Sequence, residues 1–294
     1  MLSHIQRRLM HSIKTPSLVS TEWLSLNKSA IILDCSWHLG KPTLGAEEFK
    51  QIHIPNARFL DIDKVSDSLS SLPHMLPSAS DFAKHMRNLG ISNQSHVVVY
   101  DSIGLFASPR VWWMFKVFGH QNVSVLDGGL KKWVAEGREV ESKITSFEPS
   151  EYVVPQTDKE LVINYPELLQ KVSDFVHASN FTLVDARSNG RFSGRDPEPR
   201  EGLSSGHVPS AINIPFGDLI NKESGTLKSP DDIKQILVNA NLRLDKPVIT
   251  MCGSGVTAAI LYLALDQLGK TDVRLYDGSW TEWASNSKSP ISKY

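Results

Sequence analysis

Cysteine is scarce in this chain: of 294 residues only Cys35 and Cys252 carry a thiol. Two thiols in unlike surroundings exclude a disulfide framework, and a reducing compartment is the simpler setting. Surplus charge is missing too. Lys and Arg number 31 against 32 Asp and Glu, a formal net charge of −1, which excludes a dominant nucleic-acid-binding surface. No apolar run approaches the roughly 18–20 residues that span a bilayer, so no membrane contact is expected. The 10 histidines show no metal-ligand spacing alongside the cysteines, and no metal site is expected. Acid is absent from the beginning: none precedes Glu22, while Arg7, Arg8 and Lys14 lie among Leu2, Ile5, Leu9 and Ile13 at helical spacing. A basic amphipathic start has the character of a mitochondrial presequence. Residues 1–14 are therefore read as a targeting segment, with the cytoplasm as the other compartment.

What is present is an order of segments that occurs twice. Ile31-Ile32-Leu33-Asp34 is an apolar strand ending in an acid; His53-Ile54-Pro55-Asn56-Ala57, Val97-Val98-Val99-Tyr100-Asp101, a helix around 111–118 and Val123–Gly129 follow. The second half repeats them as Phe181–Asp185, His207-Val208-Pro209-Ser210-Ala211, Val248–Met251, a helix and Val273–Gly278. Short apolar strands alternating with helices predict an α/β fold: two domains, each a mostly parallel sheet flanked by helices. The expected boundaries are 15–137 and 164–294, with 138–163 as a linker rich in proline and charge. Trp112, Trp113, Phe115 and Phe118 are expected in the core.

Cys252 ends the strand Val248–Met251 and opens Gly253-Ser254-Gly255-Val256-Thr257, after which an apolar helix begins. Glycines let amide N–H groups turn inward, and a helix N-terminus adds positive potential. Both favour a thiolate and so a nucleophile. The repeat sets Asp101 opposite Cys252, so only the second domain carries a thiol at this loop. Cys35 is read as a small structural residue.

These segments, together with Phe59–Asp63, Leu72–Pro77, Arg110–Met114, Gly190-Arg191-Phe192 and Pro197–Arg200, resemble the tandem rhodanese family over nearly the whole chain after the basic start. The resemblance implies two rhodanese-like domains, a non-catalytic first and a catalytic second. The loop is similar to that of 3-mercaptopyruvate sulfurtransferases; thiosulfate-preferring members carry Arg-Lys where this chain has Gly253-Ser254. The implied chemistry is sulfur transfer from 3-mercaptopyruvate through a Cys252 persulfide, with release of pyruvate. The acceptor would be a thiol such as thioredoxin or a small thiol, and no cofactor is required. Arg191 and Arg200 match the arginines that hold the substrate, with Gly253, Gly255, Val256 and Thr257 completing the binding loop. Ser254, His74 and Asp63 match a proton relay whose last two members come from the first domain. Arg187 is expected to pair with an acid inside its own domain. The alternatives are a thiosulfate sulfurtransferase and a sulfur-relay protein supplying tRNA thiolation or a cofactor pathway. A phosphatase is disfavoured because Ala258 stands where an arginine would close the loop on phosphate.

Overall fold

The computed structural model describes residues 15–174 and 180–294, so the basic segment 1–14 lies outside the described residues. The first half runs β1 (Leu18–Val19), α1 (Thr21–Leu26), β2 (Ile31–Asp34), α2 (Leu44–Gln51), β3 (Arg58–Phe59), α3 (Ile62–Val65), α4 (Ala79–Asn88), β4 (Val97–Tyr100), α5 (Ser108–Val117), β5 (Val123–Leu126) and α6 (Gly129–Ala135). The second runs β6 (Val162–Ile163), α7 (Tyr165–Ser173), β7 (Thr182–Asp185), α8 (Asn189–Ser193), β8 (Ile212–Asn213), α9 (Pro230–Asn239), β9 (Val248–Met251), α10 (Ala258–Gln267), β10 (Val273–Tyr276) and α11 (Ser279–Ser285). Two five-stranded parallel sheets result, β1-β5-β4-β2-β3 and β6-β10-β9-β7-β8, so the sequence repeat is a repeat of topology.

The central strands β4 and β9 are buried at every residue. A parallel sheet covered on both faces needs such unbroken apolar runs rather than alternation. Helices α4 and α9 begin alike: Ser78 accepts from the amide of Asp81, and Ser229 from that of Asp232, each satisfying one free helix donor. Helix α10 is apolar around its circumference because it packs both on its own sheet and on α5 of the other domain. Trp112 meets Tyr262 edge-on at this seam, with ring centroids 5.9 Å apart. Trp112, Trp113, Phe115 and Phe118 are all core residues, as expected.

Two reciprocal hydrogen bonds reveal a pseudo-two-fold relation across the seam. Asp127 follows β5 and accepts from the Leu227 amide at 2.8 Å; Asp277 follows β10 and accepts from the Leu76 amide at 2.9 Å. Leu76 and Leu227 occupy matching places, each two residues before the serine that caps α4 or α9.

The segment read as a linker, 138–163, is fastened to the first domain: Tyr152 is buried, its carbonyl accepts from Arg87, and Phe147 lies under the Arg58 guanidinium. Its last two residues are β6, which pairs with β10, so the second sheet begins inside that segment. A strand of two residues is too short to show a period of its own.

Candidate active site

Cys252 leaves the end of β9, where ligands of open α/β sheets bind, and is 2% exposed. Its amide donates to the Ser279 hydroxyl at 3.1 Å. The Cys252 and Gly253 carbonyls accept from the amides of Trp280 and Thr281, both at 2.9 Å. The Thr281 hydroxyl adds a second bond to Gly253 at 2.7 Å. In a trans peptide the N–H points opposite to the C=O, so the Gly253 and Ser254 amides are turned away from α11. Gly255 has φ +76, and its Cα faces Arg110 and the Asp277 carbonyl. It therefore makes the turn and does not line the cavity, unlike the other loop residues expected to bind substrate.

The matching loop of the first domain shows what such a turn collects. One carboxylate oxygen of Asp101 accepts from the amides of Phe106, Ala107 and Ser108 at 2.9–3.0 Å and from the Ser108 hydroxyl at 2.8 Å. The start of α5 is an anion cradle already filled by the chain's own side chain. Next to it Gly104 lies against Gly225 so closely that an added Cβ would come within 2.7 Å of the Gly225 backbone. The loop of the first domain is thus occupied by Asp101 and packed on Gly225, with no thiol to offer. Cys35 is fully buried beside it, and burial followed by the Asp34 and Asp101 charges pushes its thiol up, away from reactivity.

A cavity of about 220 Å³ opens on Cys252. Gly253, Ser254, Val256, Thr257, Arg191 and Arg200 line it from the second domain, and Trp37, Leu39 and Phe106 from the first. Arg191 is bidentate to Glu198, at 3.1 and 2.5 Å, and Glu198 also accepts from Arg187 at 2.7 Å. Arg187 in turn grips Asp185 at 2.6 Å and stacks over Trp280. The row Asp185, Arg187, Glu198, Arg191 alternates in sign and carries no net charge. Arg200, by contrast, makes no hydrogen bond or ion pair among the described residues. Burial lowers the pKa of its guanidinium, and the neighbouring Cys252 sulfur opposes that shift. The cavity thus holds one positive charge without a protein partner.

The proposed relay is assembled across the seam. Ser254 Oγ is 3.0 Å from His74 Nδ1, and His74 Nε2 is 2.9 Å from Asp63 Oδ1. The other Asp63 oxygen accepts from the Trp37 indole at 2.9 Å. The hydrogen bond from His74 holds the Asp63 carboxyl below the usual carboxylate range, with Trp37 adding to it. Trp37 also meets the His74 ring edge-on at 4.7 Å. His74 and Asp63 do not line the cavity; they reach Ser254 from behind.

Arg187 pairs with acids inside its domain as the sequence suggested, yet it also forms part of the cavity wall. Sequence reasoning passed over Trp37, Glu198 and Asp277 as working residues. Glu198 offered one signal: a carboxylate between two prolines, seven residues from an arginine.

Comparison with known proteins agrees with this architecture. The Rhodanese-like domain model matches residues 21–136 and again 168–286. The 3-mercaptopyruvate sulfurtransferase of Rattus norvegicus is 42% identical over 279 residues, 91% of each chain. A thiosulfate/3-mercaptopyruvate sulfurtransferase of Arabidopsis thaliana, named as mitochondrial, is 42% identical over 294 residues, covering 93% of this chain and 77% of that protein. The crystal structure of SseA from Escherichia coli, described with the fold and mechanism of 3-mercaptopyruvate sulfotransferases, superposes with a TM-score of 0.80 at 36% identity, covering 90% of this chain and 99% of that one. With two matched domains, two equivalent sheets and one open thiol site, this chain belongs to the rhodanese family as a tandem-domain member.

Proposed function

We propose that this protein is a sulfurtransferase that carries the sulfur of 3-mercaptopyruvate through a persulfide on Cys252 to a thiol acceptor. The observation that carries the reading is Cys252 at the floor of a small cavity in which the Arg200 guanidinium has no hydrogen-bonded or ion-paired partner among the described residues. A donor with a single carboxylate matches that charge. A doubly charged thiosulfate would need more compensation than the neutral Gly253 supplies.

In the first half-reaction the Cys252 thiolate attacks the donor sulfur. The carbon–sulfur bond breaks toward carbon, giving the pyruvate enolate and a persulfide anion on Cys252. The proton released by the donor thiol ends on the enolate carbon, so charge is conserved. Ser254, joined to His74 and Asp63, is placed to conduct that proton. Arg200 and the free edge of Arg191 hold the carboxylate and carbonyl. In the second half-reaction an acceptor thiolate attacks the outer sulfur of the protonated persulfide, and the S–S electrons return to Cys252. Two half-reactions through one covalent intermediate give ping-pong kinetics. The relative named as mitochondrial and the basic start support the mitochondrion as one working compartment.

Mass spectrometry after incubation with 3-mercaptopyruvate tests the reading. One added sulfur atom on Cys252, removed by a thiol, is expected, and Cys252→Ser should lose both label and turnover. Full turnover in Cys252→Ser overturns the mechanism. A kcat/KM for thiosulfate above that for 3-mercaptopyruvate by about tenfold overturns the donor assignment.

A further inference from the structure

We infer that Arg110, from the first domain, is a positioning residue for the relay that serves Cys252; the inference rests on the sulfur-transfer reading above. Arg110 is the third residue of α5, flanked along the chain by apolar residues and fully buried. Its Nη2 donates to the His74 carbonyl at 2.5 Å and to Asp277 at 2.6 Å. The second Asp277 oxygen takes the Leu76 amide at 2.9 Å. Residues 74 and 76 are therefore clamped by their backbones. The guanidinium also lies over Trp113 at 4.5 Å, and its Nη1 is so near Gly255 that an added Cβ would stand 2.9 Å away. One buried side chain touches both the turn that presents His74 and the loop that presents Ser254.

The backbone explains the need for a clamp. His74 has φ 60, in the left-handed region that a residue with a Cβ disfavours. The pseudo-two-fold pairs Leu76 with Leu227, and hence His74 with Gly225, whose φ of 75 carries no such penalty. At the spacing that sets Asp101 opposite Cys252, the residue opposite Arg110 is Leu261, which is also buried. Where the turn holds glycine, an aliphatic side chain suffices; where it holds histidine, a buried cation grips the peptide. Burying that cation is costly, and its Nε and Nη1 find no acceptor among the described residues. An interface that needed only cohesion would be better served by the aliphatic choice. Released from Arg110, the turn relaxes and His74 Nδ1 withdraws from Ser254.

A double-mutant cycle on the full chain tests this, using single-turnover persulfide formation from 3-mercaptopyruvate. Arg110→Met and Ser254→Ala should each slow the step on the order of tenfold, and the double variant should be no slower than Ser254→Ala by more than about twofold. Losses that multiply overturn the inference. The pH profile of Cys252 alkylation by iodoacetamide should match the parent in Arg110→Met; a displaced profile would mean that Arg110 acts on the thiol directly and would overturn the route through His74. Should Arg110→Met fail to fold, Arg110→Lys enters the same cycle. Lysine keeps one of the two bonds, so a partial loss absent in the Ser254→Ala background is expected, and a loss of equal size in both backgrounds overturns the inference. A wild-type chain that forms no Cys252 persulfide would instead refute the sulfur-transfer reading.

Discussion

Gly253 and Gly255 stand two residues apart in one loop, and alanine should separate their roles. At Gly255 the backbone is left-handed, which costs alanine about 1 kcal/mol. Its Cβ would also meet the Asp277 carbonyl and the buried Arg110 guanidinium, each at 2.9 Å. Neither can readily retreat: the carbonyl is backbone between β10 and α11, and Arg110 is tied to His74 and to the Asp277 carboxylate. Overpacking of that kind costs about 1–3 kcal/mol, for a sum of about 2–4 kcal/mol. At Gly253 the backbone is ordinary, and the added Cβ meets the far end of Arg191 at 3.1 Å. A flexible side chain gives way, so Gly253→Ala should keep stability within about 0.5 kcal/mol. The cost falls on substrate geometry instead: an Arg191 displaced by a fraction of an ångström should lower kcat/KM for 3-mercaptopyruvate by about tenfold. Urea unfolding and steady-state kinetics on both variants give the comparison. A Gly255→Ala protein as stable as the parent, or a Gly253→Ala protein destabilised by more than about 2 kcal/mol, would refute the placement of this loop.

The two arginines should also part company. Arg200→Met should raise the donor KM by about 10–100-fold without loss of Tm, because its half-buried charge has no protein partner, whereas Arg191→Met should lower Tm by unpairing one side of the buried Glu198. Asp34 is pushed up to about 6 by burial. The folded state then holds a proton that the unfolded state has released, so its contribution is lost as pH rises from about 4 to 6; Asp34→Asn should flatten that slope in urea midpoints measured across the window, and an unchanged slope would refute the assignment. Gly104→Ala would drive a Cβ into the Gly225 backbone across the seam; a fall in both Tm and kcat/KM is expected, although Gly104 does not line the Cys252 cavity, and a neutral result would mean that this contact does not set the fit of the two domains.

Much of the fold was legible because the buried strands are short, mostly apolar runs, several of them ending in an acid, and because the runs recur in the same order. The cross-domain meeting of Ser254 with His74 and Asp63 came from resemblance, since 180 residues separate Ser254 from His74 and no local pattern links them. Edge strands such as β6 stayed hidden because two residues leave no period. Arg110 and Asp277 were missed for another reason. Their significance lies in which backbone atoms they grip, and sequence reports only the charge; a lone arginine inside the apolar run of α5 was the available hint of a buried ion pair.

The hydrogen-bonded line from Ser254 to Asp63 begins in one domain and ends in the other. It behaves as a circuit that is complete only while the two halves are shut against each other. A hinge opening of an ångström or two at the seam would break it without melting either sheet, for hydrogen bonds fade steeply beyond their normal length. Turnover should therefore report on domain closure more sensitively than any measure of secondary structure, and it should fail first as denaturant rises.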